Sequence, residues 1–167
     1  MPSHHYAALR IVVLVLATWL LGGCGSLPMM DDGPGVALLS SPEQVQDALE
    51  TALDQLGAPY HYGGDRPGVG FDCSGLVHYS YAQAGITLPR TVSEQYRWVQ
   101  PVSGRSLRPG DLVFFRPSGK VVSHVGIYLS NGRFIHAPKQ GQRVGFADLA
   151  SPYWREAFIG AGRVVAG

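Results

Sequence analysis

The sequence predicts an α+β fold, with helices in its first half packed on an antiparallel sheet built from its second half. Apolar residues recur at helical spacing as far as about residue 98. From residue 112 onward, short runs rich in β-branched and aromatic residues alternate with turn signals. The 167 residues are 46% hydrophobic and 15% charged, with 22 Gly and 12 Pro, which suits one turn-rich domain better than a helical bundle. Helices first and strands later are the order of an α+β chain rather than of alternating βαβ units.

Residues 1–23 read as a secretory signal. His4, His5 and Arg10 precede an apolar run from Ile11 to Leu21, too short to span a bilayer comfortably, since spanning takes about 20 apolar residues. The run ends in Leu21-Gly22-Gly23-Cys24, which resembles a bacterial lipobox, so Cys24 is the expected site of diacylation. Gly25 follows it, and in Gram-negative lipoproteins the lack of Asp there implies sorting to the outer membrane. We therefore expect a lipid-anchored protein on the periplasmic face of a bacterial membrane. Residues 24–40, rich in Gly, Ser, Pro and Asp, read as a flexible tether, and residues 41–167 as the folded domain. Two cysteines in an exported chain would ordinarily suggest a disulfide. If Cys24 carries lipid, Cys73 is left as a free thiol.

Within the domain, Ser41 is an N-cap, Pro42 suits the first turn, and Gln44 completes a capping box. Val45, Ala48, Leu49, Ala52, Leu53 and Leu56 share one face, so a helix is expected over 42–56, closed by Gly57. Residues 58–70 read as a loop. A second helix is expected over 73–84, closed by Gly85, and a short one around 92–98 after Leu88-Pro89-Arg90-Thr91. Strands are expected over 112–115, 121–129, 133–137 and 158–165.

The chemistry centres on Cys73, at the point where a Gly-rich loop enters the second helix. A thiol attacks as thiolate, and the positive end of a helix dipole lowers its pKa from about 8.5. The unpaired N–H groups of the first turn could also hold an oxyanion. Taken alone, a lone cysteine is as readily a small buried hydrophobe. Two histidines strengthen the reactive reading. On strand 121–129 the side chains of His124, Gly126 and Tyr128 share one face. A three-residue loop, Ser130-Asn131-Gly132, would set Leu129 opposite Arg133 and His136 opposite Gly126, on the face of His124. A two-residue Asn-Gly turn would shift the pairing by one and send His136 to the other face. In the first arrangement His124 is a base for the thiol and His136 fixes its tautomer. The same three residues could instead hold zinc, although no fourth ligand accompanies them at motif spacing.

Charge is segregated along the chain. Residues 24–65 hold seven acids and no Lys or Arg, whereas residues 66–167 hold twelve Lys/Arg against five acids, a net of +7. Such a face would draw an anionic substrate, or simply keep the surface soluble. No basic run with interleaved aromatics points to nucleic acid.

Six motifs together resemble one family. They are Pro59-Tyr60-His61-Tyr62-Gly63-Gly64, Phe71-Asp72-Cys73-Ser74-Gly75-Leu76-Val77, Leu88-Pro89-Arg90, Pro109-Gly110-Asp111-Leu112-Val113-Phe114-Phe115, His124-Val125-Gly126-Ile127-Tyr128 and Phe134-Ile135-His136-Ala137. In this order, over about residues 45–165, they resemble the NlpC and p-sixty cell-wall cysteine peptidases, most of all the short Spr/MepS-type murein endopeptidase lipoproteins. The resemblance implies a papain-like fold and hydrolysis of peptide bonds in peptidoglycan stem peptides or cross-links. It implies Cys73 as nucleophile, His124 as base and His136 as the orienting third residue. Tyr60, Asp72, Ser74 and Arg90 would lie at the oxyanion or substrate-binding positions. It calls for no cofactor and no metal, and we expect a monomer. A non-catalytic peptidoglycan-binding scaffold, or an amidase or acyltransferase using the same thiolate, are the alternatives.

Overall fold

Helix α1 (Pro42–Asp54) opens the computed structural model, which describes residues 40–165. These lie within one compact unit, Val36–Gly167. The expected signal at 1–23, the lipidation site Cys24 and the tether up to residue 39 lie outside the described residues. The capping box forms as the sequence suggests: Gln44 N–H donates to Ser41 Oγ, and Ser41 N–H donates to Gln44 Oε1, both at 3.1 Å. The helix ends two residues earlier than expected, with Gln55 as its C-cap. Gly57, with φ at +81°, instead turns the chain so that its N–H donates to Val144 O.

The segment read as loop contains a small antiparallel hairpin, β1 (Asp65–Arg66) and β2 (Gly70–Phe71). Helix α2 (Cys73–Gln83) follows at once, then α3 (Val92–Trp98), which Thr91 and Glu94 cap reciprocally. Strand β3 (Gln100–Val102) and a 3-10 turn (Gly104–Ser106) lead to β4 (Leu112–Phe115), β5 (His124–Ser130), β6 (Arg133–His136) and β7 (Gly145–Asp148). A short helix α4 (Pro152–Ala157) runs directly into β8 (Phe158–Arg163). The expected strand over 121–129 begins only at His124, and β3, β7 and α4 were not anticipated. The six long strands form one sheet in the order β3-β8-β4-β5-β6-β7, antiparallel at every pairing.

Both faces of the sheet are covered, which explains why its central strands read as continuous apolar runs. Leu112, Phe114, Val125, Ile127 and Ile135 pack against Ala48, Leu49, Ala52, Leu76, Val77 and Tyr81 of α1 and α2. On the opposite face Val113, Phe115 and Phe134 pack against Trp154, Ala157 and Ala161. The alternation of strand side chains sorts Val125 to the first face and Phe134 to the second.

The β5–β6 turn corrects one expectation. Ser130 pairs with Arg133 across a two-residue turn, Asn131 at φ +51° and Gly132 at +79°, the twist that right-handed hairpins favour. This is the turn expected to misdirect His136. A bulge compensates: the register slips between Tyr128 and Ser130, leaving Leu129 as an extra residue, and Tyr128 then faces Phe134 and Ile127 faces Ile135. Continued, that register sets Gly126 opposite His136. The pairing is the one expected, reached by a different route. Gly126 is itself required there, because a Cβ would collide with the Phe134 ring and the Ile135 carbonyl. Gly126→Ala should therefore lower the stability of the chain by about 1–3 kcal/mol in urea unfolding, the usual cost of overpacking. An unshifted midpoint would show that Phe134 can give way.

Candidate active site

The local structure around Cys73 is built on Asp72. Asp72 is the N-cap of α2, and its Oδ1 accepts from Gly75 N–H at 2.6 Å. Arg90 grips the same carboxylate as a fork, Nη1 to Oδ1 at 2.9 Å and Nη2 to Oδ2 at 2.8 Å. Arg90 also donates to Ser74 Oγ at 3.1 Å and to Gly64 O at 3.1 Å, while Gly63 N–H donates to Asp72 Oδ2 at 3.0 Å. Asp72, Ser74 and Arg90 are thus tied to one another and to the loop before the helix. Gly75 lets that loop come close: a Cβ there would strike Gly64 O.

Cys73 is the first residue of α2 and is 8% exposed. Its sulfur lies under three backbone N–H groups, those of Val125, Ser74 and Cys73 itself. These favour the thiolate, but burial and then the Asp72 carboxylate outweigh them and push the thiol up to about 11. The N–H groups at the helix start do lower the value, as expected, but the net shift is upward. The dipole acts here on a group with little water around it, next to the anion that caps the same helix. Tyr60 sits close by. It is half-buried, and burial followed by the proximity of Cys73 and Asp72 raises its pKa, so its hydroxyl keeps its proton for donation.

The two histidines come together on the face of the sheet opposite α1 and α2. His124 Nε2 and His136 Nδ1 share a hydrogen bond of 2.8 Å, with the rings perpendicular at 89°. The bond leaves His124 Nδ1 as the ring nitrogen available to a thiol. Burial, and then the neighbouring His136, lower His124 to about 3, and burial lowers His136 to about 4. The resting site is therefore a neutral thiol beside neutral imidazoles. Among the described residues no hydrogen bond joins the Cys73 sulfur to either ring. The thiol instead meets β5 at Val125, the residue after His124. Among the described residues no cluster of three or more His, Cys, Asp or Glu is arranged to hold a metal ion.

Two residues of the site were not foreseen. Trp154 of α4 lies under the histidines, stacked on His124 at 5.2 Å between centroids and 28° between planes, and edge-on to His136 at 5.0 Å. Its helix has six residues, too few to show a period. Gln95 is fully buried, and its Nε2 donates to Ser74 O at 3.0 Å and Pro89 O at 2.8 Å, joining the first turn of α2 to the loop that carries Arg90. Its Oε1 finds no partner. A Gln four residues past a cap, flanked by Glu94 on a short helix, carries no sequence signal of burial.

The histidine pair makes stability depend on pH. Both folded values lie below the 6.5 of a free imidazole, so the fold favours the neutral rings. That contribution is whole above about pH 6.5 and is lost as pH falls through about 4 for His136 and about 3 for His124. Thermal unfolding should weaken between pH 7 and pH 4 by about 2–6 kcal/mol, and His136→Asn should flatten the curve. Parallel curves for the two proteins would remove His136 from the acid transition.

Comparison with known proteins agrees with this architecture. A model of the NlpC/P60 family matches residues 57–163. The chain is 43% identical over 122 residues to the murein DD-endopeptidase MepH of Escherichia coli, a match covering 71% of this chain and 45% of that protein. It is 45% identical over 121 residues to the bifunctional muramidase/DL-endopeptidase CwlT of Bacillus subtilis, covering 71% of this chain and 36% of that one. It thus spans less than half the length of these relatives. A crystal structure from Staphylococcus aureus, of a protein described as similar to a lipoprotein of the NLP/P60 family, superposes with a TM-score of 0.69 at 41% identity, over 82% of this chain and 45% of that one. The peptidoglycan hydrolase RipB of Mycobacterium tuberculosis superposes with a TM-score of 0.64 at 29% identity, over 74% and 66%. With the family model spanning more than half of the sequence and the folds superposing, this chain belongs to the NlpC/P60 family.

Proposed function

We propose that the chain is a cysteine endopeptidase that hydrolyses peptide bonds in peptidoglycan stem peptides or their cross-links. The observation that carries this reading is the His124–His136 hydrogen bond, which frees one nitrogen of His124 at the strand end where the Cys73 thiol arrives. The named activities of MepH and CwlT support the substrate class.

The chemistry follows from the resting state. This chemistry requires Cys73 Sγ to close on His124 Nδ1 when substrate binds, the kind of tightening seen between resting and reacting sites. For Nδ1 to accept, Nε2 must carry the ring proton and donate it to His136 Nδ1, so His136 selects the tautomer. Substrate excludes the remaining water, His124 takes the thiol proton, and the sulfur attacks the scissile carbonyl. The resulting oxyanion sits near the N–H groups of the first turn of α2 and the protonated hydroxyl of Tyr60. His124 then gives its proton to the leaving amine, and water, activated by the same ring, cleaves the thioester. Arg90, Asp72 and Ser74 hold the rim of the groove, and the net +7 of residues 66–167 suits a stem peptide that bears several carboxylates.

The chain would work from a membrane surface. The lipobox-like Leu21-Gly22-Gly23-Cys24 supports diacylation of Cys24, and Gly25 supports residence on the periplasmic side of the outer membrane. Residues 25–40 would then set how far the domain reaches into the wall.

Incubating the purified protein with muropeptides and reading the products by mass spectrometry tests the activity and identifies the bond. Cys73→Ser should lose roughly a thousandfold or more of the rate with the fold intact, since a hydroxyl is a far weaker nucleophile. Full activity in that variant would take Cys73 out of the reaction. No products from the wild type would favour a binding scaffold, and new linkages an acyl transferase. Cys24→Ala should move the protein from the membrane pellet to the soluble fraction without changing cleavage of soluble muropeptides. A variant that still pellets would sink the lipid anchor.

A further inference from the structure

We infer that Trp154 is a positioning residue that acts through His124: the face of its indole stabilises the imidazolium formed when His124 takes the Cys73 proton. The inference deepens the peptidase reading and rests on it for its kinetic arm only.

A buried imidazolium needs compensating partners, and apart from the Cys73 thiolate formed with it this site offers none that is charged. His136 faces His124 from β6, Phe115 from β4 at 6.0 Å, and Trp154 from α4 at 5.2 Å, while Cys73 arrives from α2 at Val125. No carboxylate is among them. Arg155 and Glu156, the neighbours of Trp154 on α4, are exposed. A triad whose third member is an aspartate stabilises the charged ring with an anion. His136 can accept the Nε2 proton but brings no compensating charge, and burial, followed by His136 itself, lowers the proton affinity of His124.

The indole is placed to supply what is missing. It stacks on His124 at 28°, within the roughly 6 Å over which a cation is drawn to an aromatic face, and tryptophan is the strongest such face. The same ring is edge-on to His136 at 89° and to Phe134 at 89°, and Phe115 meets it at 4.7 Å. These contacts hold it from three sides, so its face does not turn away as the charge forms. Ordinary packing explains a tryptophan beside two phenylalanines. Only two pairs in the cluster lie within about 30° of parallel, Phe115 with Phe134 at 30° and Trp154 with His124 at 28°, and the second puts the indole face on the ring that must become a cation.

The test uses the full chain and iodoacetamide, an uncharged reagent that alkylates the thiolate. Near pH 6.5 hydroxide supplies little thiolate and proton transfer to His124 is the route the inference concerns, whereas at pH 10 hydroxide supplies thiolate without help from His124. The ratio of the alkylation rates at pH 6.5 and pH 10 therefore reports the stability of the charged ring, corrected for access to the sulfur. Trp154→Leu should lower that ratio about five- to thirtyfold, and Trp154→Phe by less, because phenylalanine keeps a weaker π face. Muropeptide kcat should fall in the same order with KM unchanged. If Trp154 serves only to cover the histidines, removing it lets in water, and the ratio rises in Trp154→Leu and stays unchanged in Trp154→Phe. A rise, or no change, overturns the inference. Should Trp154→Leu fail to fold, Trp154→Phe decides alone, since it preserves the cover. If the protein cleaves no muropeptide, the peptidase reading falls while the alkylation ratios still settle the role of the indole.

Discussion

Asp72 holds together the pieces on which the site depends. One carboxylate caps α2, receives the Arg90 fork and accepts from Gly63 N–H, so the loop before the helix, its first turn and the Arg90 segment are joined at a single charge. Asp72 is largely shielded, and Arg90 answers its charge in bidentate geometry. Removing either partner would strand the other in poor solvent. The thiol inherits its position from this node, because Cys73 is the next residue. It also inherits a cost: the anion that caps the helix disfavours a second anion beside it, which is one reason the resting sulfur keeps its proton.

That cost shapes the chemistry. A permanently ionised thiol in a cell envelope would be open to oxidation. In the proposed mechanism a buried, neutral thiol attacks only when His124 removes its proton, and His124 does so only if its own charge is tolerated. The site thus defers charge separation to the moment of reaction. In that mechanism His136 selects the tautomer without adding charge, and aromatic rings rather than carboxylates line the far side of the pair. The same burial that suppresses both charges explains why the sheet presents its histidines on a face packed with Phe115, Phe134 and Trp154.

The motifs around positions 60, 73, 90, 124 and 136 were readable because each combines residue types that ordinary packing does not need together. Capping residues marked the starts of α1 and α3, where side chain and backbone lie within three residues of each other and need nothing more distant. Helix ends were less readable: α1 stops at Asp54 because Gly57 is drawn to Val144, a partner nearly ninety residues away. Strands β3 and β7 were missed for a related reason. Gln100–Val102 and Gly145–Asp148 lie at the sheet edges and are partly exposed, so neither carries the apolar run that marks a buried strand.

By itself the sequence determined the order of helices and strands, the placing of the thiol at a helix start, and the two histidines on a hairpin, since these follow from local periodicity and turn chemistry. Only the tertiary structure decided the rest. The bulge at Leu129 reconciles a two-residue turn with the register that joins His124 to His136, burial and Asp72 outweigh the N–H groups of the helix start at Cys73, and a tryptophan from a six-residue helix covers the pair. Each of these depends on how far apart in the chain the interacting groups are: register, desolvation and stacking are properties of neighbours in space, and no window of sequence contains both partners.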